Sequence, residues 1–365
     1  MKKISEEKKE LIPLPLDKCQ ECPLYDKKTY NPYNWTGDTD NPDILIMGEA
    51  AGRMGRADKF LQNKLEALGI NKVFSTNTVL CRATEYDEKW KRIKDRKPTK
   101  VEIECCFNNI EAQLNHVKPK VIVPLGATAT QRLGVRGTIT KQRGNKIKNE
   151  YGTIIPSFHP SYVLRSPQNE EMFMSDLNYI KSNVDGEEEK KGDYKIVKTI
   201  YDFEWVINRL MEVDEFAFDI ETTGFYFYKH EILGIGFSWK EFTGVYIPLI
   251  VEGKHYWCEG QFSIINDLKR VMENKAKKYA HNGKFDVKFI NHHWYCNVKN
   301  FSIDTMLLHY ILDENTRHGL KELSDTYYPD LRGYSDDLKK NITQTKMDAE
   351  AFGSVPLDVL GPYCA

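Results

Sequence analysis

The chain has 365 residues, room for two or three domains, with 41% hydrophobic and 29% charged residues, a composition that can fill a real core. A net charge of −1 excludes a global basic field, so contact with nucleic acid must come from local patches. No apolar run reaches membrane-span length and the opening MKKISEEKKE is too polar for a secretory leader, which predicts a cytoplasmic protein without membrane partners, its eight cysteines kept as thiols or metal ligands.

In chain order, "DILIMGEA", "KVFSTNTVL" and "KVIVPLGA" read as strands, while "ADKFLQNKLEALG" and "EIECCFNNIEAQLNHV" have helical spacing. That alternation predicts a three-layer α/β domain with a largely parallel sheet over residues 1–182. The charge-rich stretch Asn183–Tyr194 has almost nothing to bury and is expected to be a linker over 183–194. A second α/β pattern fills 195–365. Strands "EFAFDIE", "ILGIGFSW" and "GVYIPLI" should form an antiparallel meander, followed by helices at "FSIINDLKRVMENK", "GKFDVKFINHH" and "SIDTMLLHYILD". Residues 335–360 carry no identifiable chemistry.

Four cysteines of the first part come from separated segments. Cys19 and Cys22 stand in "CQEC", Cys81 in "TNTVLCRAT" and Cys106 in "PTKVEIECC". Four such thiolates suit an iron–sulfur cluster or a structural zinc, and spacing alone does not choose. Cys105 competes with Cys106 for the last place. Two basic stretches, "EYDEKWKRIKDRK" after Cys81 and "KQRGNKIKN" at 141–149, are candidate phosphate contacts.

The blocks "CxxCPL", "ILIMGEAAG", "STNTVLCRAT", "PTxxEIxxC", "PKVIVPLGATA" and "PSFHPSYVLR" occur in the order found in family 4 uracil-DNA glycosylases, which residues 15–182 resemble. The resemblance implies a three-layer fold and a 4Fe–4S cluster on Cys19, Cys22, Cys81 and Cys106. It also implies that Asn77 reads the flipped base, that His159 stabilises negative charge on uracil O2, and that Glu49 lies where water is positioned. Two departures weaken excision. Ala51 replaces the proline of the family's GExPG, and the block whose Phe stacks on uracil is eroded to "GRADKF", with Asp58 near the Phe position. A scaffold that binds DNA or senses a base is therefore expected ahead of efficient uracil removal.

The stretch "FAFDIETTG" sets a different problem. Residues i and i+2 of a strand share a face, so Asp219 and Glu221 point the same way. Two ionised carboxylates on a half-buried face coexist cheaply when a divalent cation sits between them. Downstream, "YAHNGKFDVKFI" puts Asn282 and Asp286 four apart, on one face of a helix start. Asp304 in "FSIDTMLLHYILD" reads as a helix cap.

With "HGLKELSDTYY", these blocks closely resemble the 3′→5′ exonuclease domain of family A DNA polymerases, the DNA polymerase I type, over 195–365. The resemblance implies an RNase H-like (DnaQ-like) fold and two Mg²⁺ or Mn²⁺ ions about 3.5–4 Å apart. On it, Asp219 bridges the ions, Glu221 orients the attacking water, Asp286 anchors the second ion and Asn282 orients the terminal nucleotide. Phe225 is a candidate stacking partner for unpaired bases. The family's third motif is Tyr-x-x-x-Asp; Tyr363 matches its Tyr, and its Asp would fall beyond Ala365. The expectation is thus the N-terminal part of a polymerase, phage-like in its domain combination, that acts on single-stranded 3′ ends, is impaired alone and has the missing polymerase domain as its partner. The alternatives are a stand-alone repair protein and a catalytically dead DNA-binding module.

Overall fold

The computed structural model describes residues 11–52, 55–188, 192–328, 331 and 355–364. Two compact units divide the chain, 1–188 and 189–365.

The first unit contains strands β1 (Thr36–Gly37), β2 (Ile44–Ala50), β3 (Val73–Val79), β4 (Thr84–Asp87), β5 (Arg92–Asp95), β6 (Val121–Pro124), β7 (Ile147–Asn149) and β8 (Gly152–Ile154). Six of them form one sheet in the order β1-β3-β2-β6-β8-β7. β3, β2, β6 and β8 run parallel, and the short β1 and β7 close the edges antiparallel. A parallel sheet is covered on both faces, so its strands are apolar on both sides. Alternate residues accordingly enter different cores. Leu45, Met47 and Ile122 pack with Ile110 and Leu114 of the Lys100–Val117 helix. Ile44, Ile46, Val121 and Val123 pack with Leu61 and Leu65 of Arg56–Ala67 and with Phe173 and Leu177 of Glu170–Asp185. The predicted three layers result. Thr99 and Glu102 start the Lys100–Val117 helix with a reciprocal capping box.

Two basic stretches fold into structure that uses up part of their charge. The insertion after Cys81 is a hairpin, β4 against β5. Its Lys94 lies 3.2 Å from both Glu85 and Asp87, and Arg96 lies 2.6 Å from the buried Glu102, so these two cations are not free for phosphate. In 141–149, Arg143 is buried and paired with Asp176 at 2.7 Å. Asp176 also accepts from Ser157 Oγ at 2.8 Å, and Arg143 donates to the carbonyl of Met172. Truncating one partner strands the other charge in the core. Arg143→Ala is expected to destabilise the first domain by about 3–5 kcal/mol, read as a lower urea midpoint; an unchanged midpoint refutes it.

The second unit adds β9 (Asp193–Ile196), β10 (Glu215–Thr222), β11 (Ile232–Ser238), β12 (Thr243–Pro248), β13 (Ile250–Val251), β14 (Lys254–His255), β15 (Lys277–Ala280) and β16 (Phe301–Asp304). Its main sheet runs β16-β15-β10-β11-β12-β9. β10, β11 and β12 form the expected antiparallel meander; β15, β16 and β9 join in parallel. Phe216, Phe218 and Ile220 of β10 pack with the helices Ile200–Glu212 and Gln261–Met272. The alternate residues, Asp219 and Glu221 among them, face the other way, the side on which the Leu357–Cys364 helix meets Tyr246.

Three expectations need correction. The linker is shorter than 183–194: Asn183–Asp185 finish a helix, and Asp193–Tyr194 begin β9, whose pairing with β12 satisfies backbone groups whatever the charge outside. Residues 189–191 lie outside the described set. "SIDTMLLHYILD" is not all helix, because Phe301–Asp304 pair with β15 and the helix begins at Thr305. Asn282 does not share a helix face with Asp286. A side chain at Gly283 would strike Phe301 at 2.5 Å, and the tight turn there holds Asn282 in the left-handed region, φ 58°, ahead of the Lys284–Trp294 helix, a conformation Asn tolerates.

Candidate functional site

In the second domain the sheet gathers three acids. Asp219 and Glu221 come from β10, and the buried Asp286, in the first turn of Lys284–Trp294, accepts from the Ile220 N–H at 3.0 Å. Among the described residues, no salt bridge reaches any of the three. Burial therefore dominates their titration and pushes Asp219 up to about 6. Glu221 and Asp286 rise to about 8, through burial first and then repulsion from the neighbouring acids. Oxygen ligands held together without a counter-charge fit a hard divalent cation.

Other predicted residues are placed differently. Asn282 is exposed and its N–H donates to Asp304 Oδ1 at 3.0 Å. Asp304 caps its helix through Met306 and Leu307, as expected. Phe225 is 72% exposed in the loop after β10, beside Tyr226 and Tyr228. Tyr363 lies near the end of the Leu357–Cys364 helix, and its side chain falls outside the described residues, as does Ala365. Sequence reasoning missed Cys364. Its Sγ and one oxygen each of Asp219 and Glu221 lie within 4.8 Å of one another. The signal was Gly234-Ile235-Gly236, two glycines with the spacing of the two acids.

In the first domain the candidates collect at the carboxyl ends of the parallel strands, flanking β2 where strand order reverses, the usual place for a crevice in such sheets. Gly48 and Glu49 end β2 opposite Asn77 of β3. A Cβ at Gly48 would lie 2.4 Å from Asn77 Oδ1, so glycine is what lets the amide lie there. Thr128 donates to Glu49 at 2.6 Å. His159 Nδ1 accepts from the Ser161 N–H at 3.1 Å, which leaves the proton on Nε2. Burial lowers the His159 pKa against the opposing pull of Glu49 and Asp58, so the ring stays a neutral donor. Asp58 caps the Arg56–Ala67 helix by accepting from Gly55 N–H at 2.7 Å. Phe60 stacks on Phe173 with centroids 5.9 Å apart and is spent on packing.

Behind this crevice, Cys19, Cys22, Cys81, Cys105 and Cys106 line one cavity with Tyr30 and Asn109. Burial raises Cys81 to about 11 and Cys106 to about 12. Three of the predicted ligands receive an N–H bond, Cys19 from Asn109 at 3.4 Å, Cys81 from Asn31 at 3.2 Å and Cys106 from Leu80 at 3.3 Å. Cys105 receives no such N–H bond among the described residues. These thiols fit a group that takes four sulfurs and benefits from N–H donors to them.

The folds and sites together define a DNA-processing chain: a glycosylase-type α/β/α domain, then an RNase H-like nuclease domain. Comparison with known proteins agrees. The uracil DNA glycosylase superfamily matches residues 35–181 and the DNA_pol_A_exo1 family, 3'-5' exonuclease, matches 194–365. The type-4 uracil-DNA glycosylase of Thermotoga maritima is 35% identical over 193 residues, 48% of this chain and 95% of that protein. The DNA polymerase of Bacillus phage SP01 is 26% identical over 341 residues, 85% of this chain and 36% of the polymerase. DNA polymerase I of Borreliella burgdorferi is 29% identical over 47% of this chain and 18% of its own length. The chain thus spans about a third of the phage polymerase. It belongs to the type-4 uracil-DNA glycosylase family through its first domain, and a 3'-5' exonuclease domain of the DNA polymerase A type follows.

Proposed function

We propose that the second domain trims DNA from single-stranded 3′ ends as the proofreading part of a family A, phage-type polymerase in the host cytoplasm, its polymerase domain being the partner. The observation that carries this is the trio of carboxylates, Glu221 and Asp286 buried and Asp219 half-buried, without a salt-bridge partner among the described residues. Mg²⁺ or Mn²⁺ ions held by Asp219, Glu221 and Asp286 would activate the water and stabilise the departing 3′ oxygen. Glu221 orients the water, Asn282 meets the terminal nucleotide at the rim, and Tyr363 helps position the attack. Phe225 offers a stacking face to an unpaired base.

The first domain carries a 4Fe–4S cluster on Cys19, Cys22, Cys81 and Cys106 and reads a base more than it cuts one. Asn77 recognises the base edge, His159 Nε2–H meets its O2 and Glu49 holds water. Phe60, nearest the place of the lost stacking Phe, is engaged with Phe173 instead. No helix among the described residues is long and apolar enough to cross a membrane.

The test uses a uracil-containing single strand labelled at its 5′ end, incubated with oxygen-free protein and Mn²⁺. Shortening before alkali reports exonuclease; a break at uracil after alkali reports excision. Shortening without the break is expected, with the strand still bound. A strong break at uracil overturns the base-sensing reading, and no shortening overturns the nuclease. Asn77→Ala is expected to weaken binding to the uracil strand about tenfold relative to a thymine strand; equal losses on both strands refute its reading role.

A further inference from the structure

We propose that Cys364 joins Asp219 and Glu221 in a mixed thiolate–carboxylate site for a thiophilic divalent cation of the zinc class; this rests on the reading of the two acids as a cation site. The ligand atoms of the three residues lie within 4.8 Å of one another. Around a tetrahedral zinc with bonds of about 2.0–2.3 Å, ligand atoms stand roughly 3.3–3.8 Å apart. Closing the site therefore takes shifts of about an ångström at most, within reach of side-chain rotation.

The sheet is shaped for this approach. Gly236 faces Asp219 across the β10–β11 pair and Gly234 faces Glu221. A Cβ at Gly236 would lie 2.4 Å from the Cys364 carbonyl oxygen and 3.2 Å from its Sγ. Any larger residue there would push the helix and its thiol away. A second, independent feature points into the same place. Tyr246 of β12 is fully buried, and among the described residues its Oη has no hydrogen-bond partner. That oxygen sits 2.3 Å from where a Gly234 Cβ would be, and Gly234 is paired with Glu221 across the sheet. A buried phenol without a partner costs stability unless something at the site accepts its proton. A water or anion on the open position of a bound ion would do so.

Carboxylates alone suit Mg²⁺, whereas a sulfur ligand moves preference toward zinc and its softer neighbours. On binding, the Sγ–H proton leaves to solvent and a sulfur–metal bond forms. No oxidant is involved.

The test titrates Co²⁺, the coloured stand-in for zinc, into the full-length chain and reads thiolate-to-cobalt absorption in the near ultraviolet. First-domain cysteines also bind cobalt, so the result is a difference between proteins. Cys364→Ser is expected to bind one equivalent less and to lose one thiolate's share of the band. Asp219→Asn, with every cysteine intact, is expected to show the same loss, and Zn²⁺ should displace that equivalent at far lower concentration than Mg²⁺. A wild-type spectrum in both variants overturns the site. Should Cys364→Ser fail to fold by circular dichroism, Asp219→Asn decides alone, and its wild-type spectrum is then the refutation. The readout needs neither DNA nor cleavage. Loss of the nuclease reading would show as absent Mn²⁺-dependent shortening with the cobalt band still present.

Discussion

Asp219→Asn is expected to lower Mn²⁺-dependent 3′ shortening on the order of 10³-fold relative to the unsubstituted chain and to stabilise the metal-free protein at pH 8. The two effects have one cause. Asp219, Glu221 and Asp286 all titrate above their ordinary values, at about 6, 8 and 8. The folded domain thus holds its protons more tightly than the unfolded chain. The stability this contributes is complete below the ordinary carboxylate range, near pH 4, and is lost progressively as pH rises to about 8. Removing one acid relieves repulsion, mostly in the upper half of that window. The second domain's melting temperature at pH 8 should rise by a few degrees, since about 1 kcal/mol corresponds to roughly 2–4 °C at this size. A divalent cation does in the wild type what the lost proton did. The Mn²⁺-induced rise in melting temperature should therefore grow from pH 5.5 to pH 8 in the wild type and nearly vanish in Asp219→Asn. A calorimetric series over pH, with and without Mn²⁺, checks both. A metal-free wild type that gains stability between pH 5.5 and 8 would falsify this account of the cluster.

How much was legible beforehand follows from how local the governing physics is. Period-two alternation in β10 placed Asp219 and Glu221 on one face, because strand geometry fixes that without any partner. The parallel core of the first domain was legible from the continuous apolar runs of β2 and β6. Failures came where a partner distant in sequence decides. Arg143 looks like a phosphate contact until Asp176, thirty-three residues on, is found beside it. Phe301–Asp304 look helical until β15 pairs with them. Cys364 cannot be tied to the acids without knowing that Gly236 in β11 clears a path for it. Asn282 and Asp286 were set on one face by a spacing rule that holds only inside a helix, and the backbone enters that helix after Asn282.

On the proposed base-reading role, the crevice of the first domain keeps its hydrogen-bonding groups in place. Gly48 and Asn77 remain matched in register, and the Ser161 N–H still sets the His159 tautomer. These contacts orient groups that read hydrogen-bonding edges. Stacking needs an exposed ring; Phe60 and Phe158 are engaged with Phe173 and Tyr162, and of these Tyr162 keeps an exposed face. Base–aromatic stacking contributes about 1–3 kcal/mol, so its loss weakens capture of an extruded base more than discrimination between bases.

The cysteine cavity supports the other large effect. Chain purified without oxygen is expected to hold about four irons and four inorganic sulfides in the first domain, with the broad visible absorption of a 4Fe–4S cluster. Cys106→Ser should abolish that absorption, and Cys105→Ser should keep it. Five thiols line the cavity, and three of them, Cys19, Cys81 and Cys106, receive an N–H bond from Asn109, Asn31 or Leu80. Such donors stabilise charge on a ligating sulfur, and burial makes that help necessary, because it holds Cys81 at about 11 and Cys106 at about 12 until a cation takes the proton. Cys105 lines the cavity but receives no such bond among the described residues, the arrangement of a neighbour to the site. Since Cys81 and Cys106 also belong to the core formed with Leu45, Phe74 and Ile122, losing the group they hold should loosen that core. A drop of roughly 10 °C in the first domain's melting temperature is expected for Cys106→Ser, the equivalent of about 3–5 kcal/mol. Zinc in place of iron, with no visible absorption, would overturn the cluster, and loss of absorption in Cys105→Ser with retention in Cys106→Ser would overturn the ligand set.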